Sequence, residues 1–348
     1  MRDTMKAAVL VGPSRIEVKE VATPKISPGD ILIKVSACGV CGSDIHMWKE
    51  GKGWSQTPIP DFRMGHEFCG KVVDPGDSDF KVGERVVFWA NLYCGQCDMC
   101  RVGKEHLCRE VHGQNYIGFV RDGGYAEYFA GPAKNAYRLP DSVSDIDAAL
   151  IDPLMVAYHA VKNSDMKLHD KILVVGSGII AQLMGGLIQR AGASLLAMSK
   201  INDNQMDKAR ELANFDVYLD GTDPDRIKKY NDVSGGGFDV VFEAVGNEQS
   251  IQTCLDSVRP GGQIVAIGNS ATPAIPFSLN TLVLNEIRFV GSVSCSREEF
   301  KETIDQIASG FVKPEKYVTD IIGLDGLQAA MEKQVSPTAK MLKTVVIP

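Results

Sequence analysis

Ile172-Leu173-Val174-Val175-Gly176-Ser177-Gly178-Ile179-Ile180-Ala181 reads as a fully apolar strand, a glycine turn and the opening of a helix that continues to about residue 191. The turn has the spacing G-x-G-x-x-A. Gly176 permits the tight turn, Gly178 lets the backbone approach a pyrophosphate, and the small Ala181 lets helix and sheet pack closely. A diphosphate would then sit on the helix N-terminus, where free N–H groups and the dipole favour an anion. Two glycines alone would be turn formers. The strand before them and the helix after them make a dinucleotide site the better reading, with Gly176, Gly178, Ile179 and Ile180 as candidate contacts, joined by Val245, Ile267 and Ser292.

Outward from this turn, residues 195–198, 240–242 and 264–267 recur as short apolar strands between helical patterns. That alternation predicts a parallel sheet built from βαβ units. Upstream the period changes: residues 31–36, 70–74 and 85–88 are short β-rich runs separated by Pro and Gly. After Gly291 the chain shows a helix-like segment at 297–310 and ends in a strand-like 344–347, expected to return to the first domain. The organisation expected is a β-rich domain over 1–155, completed by about 295–348, and a dinucleotide-binding domain over 156–294. The fold class is α/β.

Composition narrows the function. At 348 residues, a prior of about 150 residues per domain gives two or three units. With 37 basic and 44 acidic residues the net charge is -7, and no basic block follows a phosphate backbone, so nucleic acid is disfavoured. The apolar stretch near the N-terminus is too short and too soon broken for a signal peptide, and no run is long enough to span a bilayer. Nine cysteines, four of them clustered, suit a reducing compartment, and the cytoplasm is the expected location.

The clustered four are Cys94, Cys97, Cys100 and Cys108, in one short polar segment. Four thiolates close the coordination sphere of zinc, leaving no position for substrate, so this lobe is read as a structural zinc site. Two disulfides or an iron-sulfur cluster are the alternatives; the compartment disfavours the first and the spacing the second. A second set lies upstream, in Cys38-Gly39-Val40-Cys41-Gly42-Ser43-Asp44-Ile45-His46 and Gly65-His66-Glu67. Cys, His and carboxylate suit an open, catalytic zinc, whose three protein ligands leave one position for water or substrate.

At the end of the next strand the chain reads Leu196-Ala197-Met198-Ser199-Lys200-Ile201-Asn202, with no acid until Asp203. An acid there takes the ribose hydroxyls of NAD and repels a 2′-phosphate. Ser199 and Lys200 would instead bind and neutralise one, so NADP is favoured over NAD. The alternative is that Lys200 is a solvated loop lysine and the cofactor is NAD.

Taken together, Gly42-Ser43-Asp44-x-His46, Gly65-His66-Glu67, the four-cysteine lobe, Gly123-Gly124-Tyr125-Ala126-Glu127, Asp152-Pro153-Leu154 and the glycine turn resemble, in order, the zinc-containing medium-chain dehydrogenase/reductase family. The resemblance covers essentially the whole chain and is greater to the polyol, or sorbitol dehydrogenase-like, branch. It implies a GroES-like catalytic domain, a Rossmann doubly wound parallel sheet, and zinc at Cys41 and His66. It also implies a proton relay in which Ser43 accepts the hydroxyl proton and passes it through the cofactor ribose to His46. Zinc as a Lewis acid would lower the pKa of the substrate hydroxyl while hydride leaves for the nicotinamide.

The remaining ligand is either Glu67 or Asp152. In an extended segment, neighbours point to opposite faces, so one zinc does not easily take both His66 and Glu67. The expectation is therefore Cys41, His66 and Asp152 as ligands, with Glu67 exchanging or supporting. Asp152 before Pro153 is otherwise a helix-capping acid. His106, His112, His159 and His169 are expected to be structural or solvent-facing, and Cys38, Cys69, Cys254 and Cys295 to be buried. For the substrate, Met47-Trp48 and Ser294 depart from the sorbitol enzymes. That leaves a polyol, sugar or cyclitol first, then a secondary alcohol, a sugar phosphate or L-threonine, with a non-catalytic zinc and nucleotide sensor as the remote alternative. A homodimer or homotetramer is expected.

Overall fold

The computed structural model describes residues 2–53, 59–110, 116–200, 205–212, 214–270, 272, 274–336 and 339–348. The chain divides into two compact units, one formed by 1–152 and 296–348, the other by 153–295.

The first unit begins with the hairpin of β1 (Thr4–Gly12) and β2 (Arg15–Ala22), the apolar N-terminal stretch forming its first strand. There follow β3 (Asp30–Gly39), α1 (Gly42–Glu50), β4 (Glu67–Asp74), β5 (Arg85–Phe88), α2 (Asp98–Arg101), β6 (Tyr128–Pro132), β7 (Ala136–Arg138) and α3 (Asp145–Ala148). The runs expected at 31–36, 70–74 and 85–88 lie in β3, β4 and β5. Helix α4 (Ile151–Lys162) leads from the first unit into the second.

The second unit continues with β8 (Lys171–Val175), α5 (Ile179–Arg190), β9 (Leu195–Lys200), α6 (Met206–Leu212), β10 (Val217–Asp220), α7 (Arg226–Ser234), β11 (Phe238–Glu243), α8 (Glu248–Ser257), β12 (Val258–Ala266), α9 (Leu279–Leu284) and β13 (Arg288–Gly291). Its strands pair in parallel in the order β10-β9-β8-β11-β12-β13. The order reverses between β8 and β11, the doubly wound arrangement in which ligands bind outside the carboxyl ends of the strands. Leu173, Val175, Ala197, Val241 and Ile264 fill its core with Tyr230, Ile251 and Leu255 from the covering helices. Strand β10 and edge strand β13 carry no clear alternation, and the sequence reading did not include them.

The chain then rejoins the first unit with α10 (Arg297–Ala308), β14 (Asp320–Gly323), α11 (Leu327–Gln334) and β15 (Thr344–Ile347). The first unit's large sheet runs β14-β15-β3-β4-β5-β7, with β6 beside β3. Phe68, Phe88 and Phe129 interlock at its centre, with ring centroids 4.7–5.5 Å apart. Two registers matter for the chemistry. Gly39 pairs with Glu67 across β3 and β4, and Val346 pairs with Cys38 across β15 and β3. The first sets the chain leading to Cys41 beside His66 and Glu67. The second brings the residue before β15, Lys343, to the same place.

Candidate active site and metal centres

One ligand atom each from Cys41, His66 and Glu67 lie within 4.8 Å of one another. Cys41 ends the loop after β3 and caps α1; His66 and Glu67 stand at the start of β4. The expected set had Asp152 as the third ligand and Glu67 exchanging or supporting; the argument against adjacent ligands assumed extended backbone at His66. Gly65 takes φ +92° and turns the chain, and His66 lies just before the strand, so regular strand alternation does not yet apply between His66 and Glu67. Asp152 is not in the group. It sits in the first turn of α4, half-buried, with its carboxyl pushed up to about 7 by burial, opposed by the His66 charge and reinforced by Glu67. It therefore faces the same cluster from its edge.

Three residues that the motif reading passed over support this set. Asp44 is fully buried and accepts hydrogen bonds from the Cys41 N–H at 3.0 Å and the Tyr125 hydroxyl at 2.7 Å, with Oδ1 3.5 Å from His66 Nδ1. Burial pushes its carboxyl up, but the His66 charge and these hydrogen bonds outweigh it and hold it below the ordinary range. Burial likewise disfavours charge on His66, yet Asp44 and Cys41 raise its pKa well above the ordinary value. Lys343, also buried, pairs with Glu67 Oε2 and donates to the Val40 carbonyl at 2.9 Å. Asp44 and Tyr125 lie inside motifs read from the sequence. Lys343 carried no signal, since a lysine before a terminal strand reads as solvated.

The donor set fits a divalent cation. Glu67 Oε1 is buried without a hydrogen-bond partner among the described residues, which is costly unless something else satisfies it. Thiol, imidazole and carboxylate are the ligand types of an open zinc site. Ser43 lies in the first turn of α1 with its hydroxyl buried and without a hydrogen-bond partner among the described residues; His46, one turn on, is exposed.

The lobe is built differently. Cys94 and Cys100 sulfurs are 3.9 Å apart, as are those of Cys97 and Cys108, and all four lie within 4.8 Å. A tetrahedron with metal-sulfur bonds of about 2.3 Å has edges of about 3.8 Å. Backbone N–H groups point at the sulfurs: those of Cys100 and Arg109 push the Cys97 thiol down to about 6, and those of Gln96 and Cys97 lower Cys94. Burial pushes Cys100 up to about 12. All nine cysteines are free thiols, and Cys38, Cys69, Cys254 and Cys295 are buried as expected. His106 is buried in the lobe and His169 exposed; His112 lies outside the described residues.

In the second unit Gly176 takes φ +127° and Gly178 caps α5, whose first turn holds no acid, so the helix end remains suited to an anion. Ile179 and Ile180 follow in that turn. Val245, Ile267 and Ser292 stand just past the carboxyl ends of β11, β12 and β13. The fully buried Glu243, unforeseen from sequence, accepts the N–H groups of Val245 and Gly246 at 2.9 and 2.8 Å and shapes that edge. The Ser199 hydroxyl is buried, 2.7 Å from the Tyr230 hydroxyl on α7. Lys200 is half-buried and its charge helps to lower the pKa of Asp220, after the hydrogen bonds from Thr222. Asn202 and Asp203 lie outside the described residues.

Comparison with known proteins agrees with both units. Residues 27–141 match the alcohol dehydrogenase GroES-like domain and residues 180–309 the zinc-binding dehydrogenase domain. The chain is 29% identical to the sorbitol dehydrogenase of Bacillus subtilis (strain 168), over 99% of this chain and 97% of that protein. It is 32% identical to the L-threonine 3-dehydrogenase of Sinorhizobium fredii, over 95% and 96%. A zinc-binding dehydrogenase from Sinorhizobium meliloti 1021, solved bound to NADP, superposes with a TM-score of 0.87 at 29% identity, over the whole of both chains.

Proposed function

The chain belongs to the zinc-containing medium-chain dehydrogenase/reductase family, and from that premise we propose how its residues divide the work and which alcohol it takes. It is a zinc-dependent alcohol/polyol dehydrogenase that uses NAD(P). The proposed substrate is the secondary hydroxyl of a polyol, sugar or cyclitol, oxidised to the ketone as hydride passes to the nicotinamide. The observation that carries this is the Cys41, His66 and Glu67 group, three protein ligands of the types an open zinc site uses, in a chain whose four lobe cysteines would close a separate one.

Cys41, His66 and Glu67 would hold a zinc ion, which when bound would supply Lewis-acid polarisation of a hydroxyl oxygen. Glu67 is held by Lys343, and Asp152 stands by as the carboxylate that can replace it. Asp44 orients His66, the usual part of a carboxylate behind a ligating histidine. Ser43 takes the substrate's proton and hands it toward His46, which releases it to solvent. Cys94, Cys97, Cys100 and Cys108 hold a second, structural zinc. Gly176, Gly178, Ile179 and Ile180 carry the diphosphate, with Val245, Ile267 and Ser292 around the rest of the dinucleotide. NADP is the preferred form, on Lys200 and not on Ser199.

Similarity to L-threonine 3-dehydrogenases over most of the chain supports a second reading, a 3-hydroxy amino acid substrate. Reduced-cofactor formation with a panel of polyols, cyclitols, simple secondary alcohols and L-threonine decides between them. Turnover of L-threonine alone would reject the polyol reading.

No described helix is long and apolar enough to cross a membrane, and the proposed location is the cytoplasm. A homodimer or homotetramer is proposed. Its support is β13, an unpaired sheet edge flanked by exposed Val283 and Leu284 and by the stacked rings of Phe277 and Phe289.

A further inference from the structure

Helix α7 returns the chain from β10 to the parallel strand β11, so it runs antiparallel to the strands and its N-terminal end lies at their carboxyl edge. Tyr230 ties the helix to the sheet: its hydroxyl meets Ser199 Oγ, one residue before β9 ends at Lys200. Burial raises the Tyr230 hydroxyl's pKa, and the Ser199 hydrogen bond and the charge of Arg226 partly offset this. Arg226 is the residue one turn earlier on the same helix face, about 6 Å nearer the carboxyl edge. It therefore stands toward the end of β9, where a Rossmann-type sheet holds the adenosine ribose.

Arg226 also carries an unsatisfied donor among the described residues. Its Nε is buried with no hydrogen-bond partner among the described residues, and buried guanidinium nitrogens are seldom left so. The nearby acids are engaged elsewhere. Asp220 accepts from the backbone and hydroxyl of Thr222 at 2.8 and 2.7 Å, and Asp223 pairs with Lys229. A planar guanidinium with an unsatisfied Nε–H suits a phosphate monoester, whose oxygens match its fork of donors.

We propose that Arg226, with Lys200, forms the clamp for a phosphate on the adenosine ribose, and that it replaces the serine hydroxyl that Tyr230 occupies. The proposal rests on the NADP reading above and assigns its discrimination to a residue on α7, outside the strand-end motif. Lys200 supplies a point charge, and Arg226 supplies direction.

The test is calorimetric titration of the zinc-loaded enzyme with 2′,5′-ADP and with 5′-AMP, which differ only in the phosphate at issue. The parent is expected to bind 2′,5′-ADP at least tenfold more tightly, and that advantage should shrink as salt is raised. Arg226→Met should lose about tenfold for 2′,5′-ADP while its affinity for 5′-AMP stays within twofold, and Arg226→Lys should fall between. If Arg226→Met keeps the parent's ratio, or loses both ligands equally, the clamp is overturned while the NADP reading stands. If the parent itself fails to distinguish the two ligands, the NADP reading falls and takes the clamp with it.

Discussion

The two metal centres of the first unit use the same element of sequence, cysteine, to opposite ends. The lobe gathers Cys94, Cys97, Cys100 and Cys108 from one short segment near the surface, and backbone N–H groups from the same segment draw two of the thiols toward thiolate. The Cys41 centre is assembled from β3, β4 and β15, is buried, and mixes three ligand chemistries. A local site can be complete and closed because the loop has nothing else to do. A site made across the sheet must instead neutralise what it buries: Lys343 for Glu67, and Asp44 with Tyr125 behind His66. Closure suits structure, whereas an unfinished shell suits turnover.

The contrast is broken most severely by Cys41→Ser, which should lower kcat at least about 100-fold with the circular dichroism spectrum unchanged. Retained turnover would remove Cys41 from the chemistry. Lys343→Met leaves the Glu67 carboxylate buried without its cation, and breaking such a pair costs about 3 to 5 kcal/mol. Thermal melting should show the loss more strongly in metal-stripped enzyme than in loaded enzyme, where the bound cation compensates the carboxylate. Equal melting temperatures for variant and parent would mean that Lys343 is not needed there.

Cys100→Ser opens the lobe and should lower the melting temperature while kcat stays within about tenfold of the parent, the reverse of the Cys41 pattern. Ser199→Ala sharpens the cofactor assignment: losing the hydrogen bond to Tyr230 should cost about 1 kcal/mol in denaturant unfolding, with the NADP/NAD ratio of kcat/KM unaltered. A changed ratio would return Ser199 to the binding site.

The smallest effect concerns a carboxylate that meets a second carboxylate more strongly than the cation near it. Glu315 is pushed up to about 7 by burial and by its hydrogen bond to Asp147. Because the folded value lies above the unfolded one, its contribution is fully present below about pH 4.3 and is lost as pH rises through about 7. Glu315→Gln should therefore flatten the dependence of melting temperature on pH between about 4.5 and 7. An unchanged slope would show that the pair shares no proton.

How much of this was legible follows from the reach of the interactions. The β8 strand, its glycine turn and α5 were readable because strand period, turn chemistry and helix opening are all local, and so were the four lobe cysteines. Cys41 and His66 were visible through their motifs. That Glu67 groups with them was not, since His66 lies just before the strand and regular alternation does not yet apply there. Lys343 is 276 residues from its partner, and only the pairing of β15 with β3 places it there. The tie between Ser199 and Tyr230 was not legible either, because the strand's sequence does not say which face its last residues present. Strand β13, whose residues lie largely exposed at the sheet's edge, lacks the apolar run by which the inner strands announce themselves.

Zinc content measured by elemental analysis on the parent, Cys41→Ser and Cys100→Ser tests the two-centre account most directly. The account predicts two zincs per chain in the parent and one in each variant, with turnover lost only in Cys41→Ser. One zinc per chain in all three proteins would contradict it.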